Sequence, residues 1–251
     1  MTVSNDDDLR KLQAIGRIVA QVLEGMGAAI QPGMTTAQLD DIGRRLLDDA
    51  GARSAPELAY DFPGATCISV NEEVAHGIPG ARVIEPGDLV NIDVSAEKDG
   101  FFADTGASFP VGRVNPAIER LCRDGRRALW TGIRQVRADA PIESIGNAVG
   151  IFAKKHGYTL VRNLASHGIG RSLHEEPTEI ATWAGHPDKR PMKEGLVFTV
   201  EPFLSLGAEW AQSADDADPW TLFSDPRAPT VQYEHTVVVT RRGPLVLTVA
   251  N

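Results

Sequence analysis

The 251 residues include only two cysteines, Cys67 and Cys122. That is too few for a disulfide scaffold, and they lack the close CxxC spacing of a thiolate metal site. Two free, partly buried thiols are the expectation. No apolar stretch approaches the roughly 20 residues that a membrane span needs. The amino end, Met1 to Arg10, is acidic and polar, which does not fit a secretory or transit signal. A cytoplasmic, monomeric protein is expected. Positive charge is also scarce: the formal net charge is −9, which disfavours DNA or RNA as the main ligand. The basic residues that do cluster are Arg120, Arg123, Arg126, Arg127, Arg134 and Arg137. They fall on an expected helix and read first as a solvated face.

Apolar material is not lacking. At 42% hydrophobic and 24% charged, the chain has the composition of an ordinary globular protein, long enough to bury a core. Leu12, Ile15, Val19, Val22 and Leu23 recur at helical spacing. After a turn at Gln31-Pro32-Gly33, Thr35 or Thr36 can cap a second helix carrying Leu39, Ile42, Leu46 and Leu47, closed by Gly51. The plan repeats. A helix from Ile118 to Val136 carries Leu121, Leu129 and Ile133, and another with Ile145, Val149 and Phe152 closes at Gly157. Lys11-Leu12 and Gly16-Arg17 match Arg120-Leu121 and Gly125-Arg126 at an offset of 109, and Gly51 matches Gly157 at 106. A duplicated helix–turn–helix follows.

Strand-like runs follow each helix pair: Ala65–Val70, Leu89–Ser95 and Phe101–Phe109, then Leu196–Phe203, Val231–Thr240 and Leu245–Val249. Grouping of helices and strands within each half favours an α+β fold, with strands side by side in one sheet and helices over one face. No linker rich in Gly or Ser appears, so residues 1–251 read as one domain with halves of about 1–110 and 111–251.

The anomaly is acid inside apolar strands. Asp93 sits in Leu-Val-Asn-Ile-Asp-Val, Asp104 follows Phe-Phe-Ala, Glu201 follows Leu-Val-Phe-Thr-Val, and Glu234 precedes His-Thr-Val-Val-Val. A buried, unpaired carboxylate costs several kcal/mol, and no cation lies within three residues of any of them. Bound metal is the remaining compensation. Two divalent ions balance four carboxylates, leaving a bridging hydroxide as reactive excess charge. Oxygen-rich ligation with one imidazole suits Mn²⁺, Fe²⁺, Co²⁺ or Zn²⁺. The imidazole is assigned to His167, whose flanking Gly168 and Gly170 let the backbone pass close to a ligand. His76 and His174 lie in turn-flanked loops, where functional side chains collect. His235 points away from its neighbour Glu234 on a strand and reads as structural or as a support for the metal ligands, while His156 and His186 read as solvated.

These motifs together resemble the type I methionine aminopeptidases, with the pita-bread fold shared with prolidase and aminopeptidase P. They are Cys67-Ile-Ser-Val-Asn-Glu-Glu-Val-Ala-His76-Gly-Ile-Pro, Asn91-Ile-Asp93-Val, Asp104-Thr, His167-Gly-Ile-Gly-Arg-Ser-Leu-His174-Glu-Glu-Pro, Thr199-Val-Glu201-Pro and Gln232-Tyr-Glu234-His-Thr. The resemblance implies a curved, mainly antiparallel sheet under pseudo-twofold helix pairs. It implies removal of the initiator methionine from nascent polypeptides with a small second residue, by attack of a hydroxide held between two metal ions. Asp93 would chelate one ion, His167 and Glu201 the other, with Asp104 and Glu234 bridging. Glu201 would shuttle the proton, His174 would bind the scissile group, and His76 would contact the leaving-side nitrogen. Phe62, Cys67 and Trp220 would wall the methionine pocket. Pro56, Ala59 and Leu173 depart from the cysteine, tyrosine and phenylalanine common at those places, and Tyr60 offers a compensating ring. A monovalent cation near Asn71 and Glu73 with Thr230 is also implied, as is a transient meeting with the ribosome. Because the loop from Gly207 to Ser224 is acidic (Glu209, Asp215, Asp216, Asp218), that contact is expected on the Arg120–Arg137 helix.

Overall fold

The structure, a computed structural model, describes residues 1–214 and 217–250. The first half runs α1 (Asp6–Ala29), α2 (Thr36–Asp49), β1 (Arg53–Ser54), α3 (Ala55–Tyr60), β2 (Cys67–Val70), β3 (Glu73–Ala75), β4 (Leu89–Lys98) and β5 (Phe101–Pro110). The second opens with α4 (Pro116–Ile133) and α5 (Glu143–His156). Strands β6 (Thr159–Leu160), β7 (Ser166–Gly168), β8 (Glu175–Ile180), β9 (Val197–Val200) and β10 (Phe203–Ser205) follow. The chain closes with β11 (Trp210–Ser213), β12 (Leu222–Asp225), β13 (Thr230–Gln232), β14 (His235–Thr240) and β15 (Gly243–Val246).

The helix pairs form where the apolar spacing places them. In α1 the stripe Leu12, Ile15, Val19, Val22, Leu23 and Met26 is buried, and the Asn5 side chain caps the start by accepting from Asp8 N. Thr35 and Gln38 close α2 with a reciprocal capping box. Gly51 and Gly157 take the left-handed conformation just past α2 and α5, at φ 63° and 77°. The duplication has a packing cause as well. A Cβ on Gly16 would stand 2.5 Å from Leu247 O, and one on Gly125 would stand 2.6 Å from Val231 Cγ2. Each first helix thus needs a glycine at its repeat position to lie down on a segment of the second half.

One core gathers under α1 and α2 with Ile68, Ile92, Val94 and Phe101, and another under α4 and α5 with Phe198, Val200, Val231 and Val237. The expected single sheet is divided: the antiparallel ladders run β1-β4-β2 with β5 on β4, β13-β10-β6, β11-β12-β3, and β15-β14-β9-β7-β8. Two expected strands are broken, for identifiable reasons. Pro202 cannot donate to a ladder, so Leu196–Phe203 splits into β9 and β10 with Glu201 in the gap. Glu234 donates its backbone N–H to Gly106 O of the other half (2.9 Å), which parts β13 from β14. That bond, with Asp104 N donating to Thr236 Oγ1 (3.0 Å) and Thr236 Oγ1 donating to Asp104 O (2.8 Å), stitches the halves together. Glu201 and Glu234 therefore stand at strand ends rather than within strands.

All six arginines of the basic run are exposed, but α4 ends at Ile133, so Arg134 caps it and Arg137 lies beyond. In the acidic loop Glu209 pairs with Arg162 at 3.3 Å, while Asp215 and Asp216 lie outside the described residues. Both cysteines are free thiols. Among the described residues no helix is long and apolar enough to cross a membrane.

Candidate metal centre

The hairpin β4–β5 supplies two carboxylates from the first half. Its register sets Asp93 opposite Gly106 and Ser95 opposite Asp104, which places both acids diagonally on one face. The second half supplies His167 from β7, Glu201 from the end of β9 and Glu234 from the gap before β14. Ligand atoms of Asp104, His167 and Glu234 lie within 4.8 Å of one another. His167 Nε2 is 3.6 Å from Glu201 Oε1.

Neighbouring polar groups aim these side chains. Gln232 Nε2 donates to Asp93 Oδ2 (3.2 Å) and Glu234 Oε2 (2.9 Å), and its own Oε1 accepts from Asn91 Nδ2 (2.9 Å). Thr199 Oγ1 donates to Glu201 Oε1 (2.8 Å) and accepts from His167 N (3.0 Å). His167 Nδ1 lies 3.0 Å from Gly168 O, and a carbonyl can only accept. Nδ1 therefore carries the proton and Nε2 keeps a free lone pair. Sequence reasoning gave Gln232 and Thr199 no role, although each sits two residues before an acid. Period-two spacing along a strand was the available signal.

Burial raises the pKa of Asp93 to about 6 and lifts Asp104, Glu201 and Glu234 well above the carboxylate range, with repulsion from neighbouring acids adding to the last three. Burial, then His174, lowers His167 to about 3. Among the described residues, no lysine or arginine offsets the four acids. Asp104 Oδ1 and Glu234 Oε1 are buried without any hydrogen-bond partner. Two orphaned carboxylate oxygens beside a neutral imidazole lone pair form a donor set that fits hard or borderline divalent cations.

Over this floor lies a cavity of about 300 Å³ lined by Asp93, Asp104, His167 and Glu201 below and by His76, His174, Phe62, Cys67 and Trp220 around it. Glu234, 2% exposed, sits behind the lining. The expected set is thus brought to one place. His76 follows β3 in the left-handed conformation, φ 54°, and lines the cavity, where desolvation by the surrounding protein, then His174, lower its pKa. The rings of His174 and His167 are 3.9 Å apart. Phe62 and Trp220 meet edge to face at 5.5 Å.

Pro56, Leu173 and Tyr60 also line the cavity, whereas Ala59 is exposed outside it. His235 bonds Thr248 Oγ1 at 2.9 Å and packs on Trp130, away from the cavity. His156, expected in solvent, is half-buried against Phe152 at 4.4 Å because the helix end folds the two rings together. His186, expected in solvent too, is half-buried beside Trp183 and 3.9 Å from Glu179. Asn71, at φ 62°, turns the chain between β2 and β3, Glu73 accepts from Val70 N (2.7 Å), and Thr230 donates to Ser205 Oγ (2.9 Å).

Known proteins share this sequence and fold. The chain is 46% identical over 249 residues to "Methionine aminopeptidase 2" of Bacillus subtilis (strain 168), covering 99% of each. It superposes on the crystal structure of methionine aminopeptidase from Rickettsia prowazekii with a TM-score of 0.93 at 34% identity, covering 99% of this chain and 100% of that one. A prolidase from Pyrococcus furiosus shares the fold at TM-score 0.79 and 20% identity, with 66% of its length covered. The sequence profile of metallopeptidase family M24 matches residues 10–241, and the chain belongs to that family.

Proposed function

We propose that this chain is a metal-dependent methionyl aminopeptidase, removing an N-terminal methionine that precedes a small residue. The observation that carries the reading is the pair of orphaned oxygens, Asp104 Oδ1 and Glu234 Oε1, beneath a cavity walled by apolar rings. Asp93, Asp104, His167, Glu201 and Glu234 would hold two divalent ions, which when bound supply an acidified water and a Lewis acid for the scissile carbonyl.

The remaining work falls to this chain's residues. Glu201, its carboxyl made basic by burial and its Oε1 held by Thr199, takes a proton from the attacking water and passes it to the leaving amine. His174 donates to the carbonyl oxygen as charge develops there. His76 meets the leaving-side nitrogen. The methionine side chain enters between Phe62, Trp220, Cys67 and Leu173, an apolar wall that recognises it by fit. Backbone carbonyls near Asn71 and Glu73, with Thr230, would take a monovalent cation. For the ribosome, the exposed arginines of α4 are the proposed contact. Charge reversal of Arg123, Arg126 and Arg127 is expected to weaken co-sedimentation with ribosomes, and unchanged binding at low salt would overturn that assignment.

Two peptides test the main reading. The metal-loaded protein is expected to cleave Met-Ala-Ser and leave Xaa-Pro peptides intact. Preference for Xaa-Pro would reassign it to the proline-directed branch of the same fold.

A further inference from the structure

Tyr60 has no part in the chemistry above, yet its phenol oxygen lies 2.6 Å from Nδ1 of His174. We propose that Tyr60 is a positioning residue that fixes the tautomer of His174, so that Nε2 carries the proton offered to the substrate's carbonyl oxygen. The proposal rests on the peptidase reading and adds a residue to it.

Both partners are anchored independently of each other. Tyr60 ends α3, whose start is capped by Ser54 and whose end is turned by Asp61 at φ 53°. Arg44 of α2 grips Glu57 of α3 through two bonds of 3.1 and 2.6 Å. The ring of Tyr60 rests on Trp220 with centroids 6.4 Å apart. On the other side Ser172 Oγ donates to His174 O at 3.0 Å, which fixes the loop that carries the imidazole. The short contact is therefore imposed by two braced segments rather than by a free phenol finding a partner.

The direction of the bond follows from donor strength. A free phenol and a free imidazole are both mostly neutral near pH 7. A phenol O–H is the better donor and an imidazole nitrogen the better acceptor, so O–H donates to Nδ1. A neutral imidazole has one N–H, and it then sits on Nε2. Without the phenol, the Nδ1–H form becomes accessible. Its Nε2 lone pair would repel an oxygen gaining negative charge and would offer a stray ligand to cations beside His167, 3.9 Å away between rings. Ala59 stands outside the wall, so the aromatic one residue later reaches the cavity from the helix end and takes up a different task.

Zinc-loaded protein carrying ¹⁵N-labelled histidine reads the tautomer directly, through two-bond ¹H–¹⁵N correlations of His174. Wild type is expected to show a bare Nδ1 and a protonated Nε2. Tyr60→Phe keeps the ring on Trp220 and is expected to give a mixture of tautomers. Its kcat on Met-Ala-Ser should fall ~5-fold, the size of one neutral hydrogen bond, with KM changed less than twofold. A wild-type Nδ1–H form overturns the proposal, as does Tyr60→Phe leaving either the tautomer or kcat unchanged. Wild-type protein that fails on Met-Ala-Ser with the expected tautomer intact would instead count against the peptidase reading.

Discussion

The floor of the cavity draws Asp93, Asp104, His167, Glu201 and Glu234 from strands and strand ends and leaves Asp104, His167 and Glu234 only 7%, 6% and 2% exposed. The rim draws Tyr60, Phe62, His76, His174 and Trp220 from a six-residue helix and from loops, and leaves Tyr60 at 44% with both histidines exposed. Floor positions are set twice over, by the hairpin β4–β5 and by the seam that joins Glu234 N to Gly106 O. Rim positions are set by side-chain contacts such as Phe62 on Trp220. Substitutions in the floor should therefore act through charge and be all-or-none. Those in the rim should be graded.

Asp104→Asn or Glu234→Gln is expected to have the largest effect. Each removes a carboxylate with an orphaned oxygen, and metal assistance is worth several kcal/mol, so kcat/KM on Met-Ala-Ser should fall ~10³-fold. The same change removes a buried like charge, so the melting temperature of metal-free protein should rise while the gain from added metal shrinks. A loss below tenfold, or a lower metal-free melting temperature, would break the contrast between floor and rim.

Gln232→Leu keeps every proposed ligand but frees Asp93 and Glu234 from their shared amide. Calorimetry should record divalent-metal affinity weaker by ~10–100-fold, the usual cost of losing such support. Among rim residues, Trp220→Ala removes the edge-to-face partner of Phe62. KM for Met-Ala-Ser should rise ~10-fold, by an aromatic pair of ~1 kcal/mol and its contact area, with kcat changed by less than ~3-fold.

What could be read from the chain beforehand divides along the same line. Acid in an apolar strand is a local contradiction, so Asp93 and Asp104 were visible without any knowledge of the fold. The helix duplication was visible too, because Gly16 and Gly125 serve one packing purpose. The breaks at Glu201-Pro202 and before Glu234 were not, since Glu234 gives its N–H to a strand 128 positions away in sequence, at Gly106. The pairing of Tyr60 with His174 escaped for a similar reason. The two lie 114 residues apart, and no periodicity encodes such a pairing.

The smallest expected effect is a pH slope confined to the floor. Above about pH 7.5, a unit beyond the ordinary imidazole value, histidines whose pKa is lowered in the fold are almost wholly neutral in both states and contribute little. Asp104, Glu201 and Glu234 have folded-state pKa values raised by burial, so the folded chain binds more protons than the unfolded one. Metal-free stability should thus be greatest at lower pH and fall by a few degrees in melting temperature as pH rises above the ordinary carboxylate range. Metal displaces those protons, so its stabilising effect should grow over the same range. Thermal melts with and without Mn²⁺ between pH 7.5 and 8.5 read both slopes.

The central claim is that the five floor residues form a two-ion site, and stoichiometry tests it most directly. Protein stripped with chelator is titrated with Mn²⁺ or Co²⁺ in a calorimeter, with elemental analysis of anaerobically purified protein and Met-Ala-Ser hydrolysis followed in parallel. Two ions per chain, with activity absent after chelation and restored on titration, is the predicted result. Full activity after chelation, or no divalent ion bound by the wild type, would contradict it.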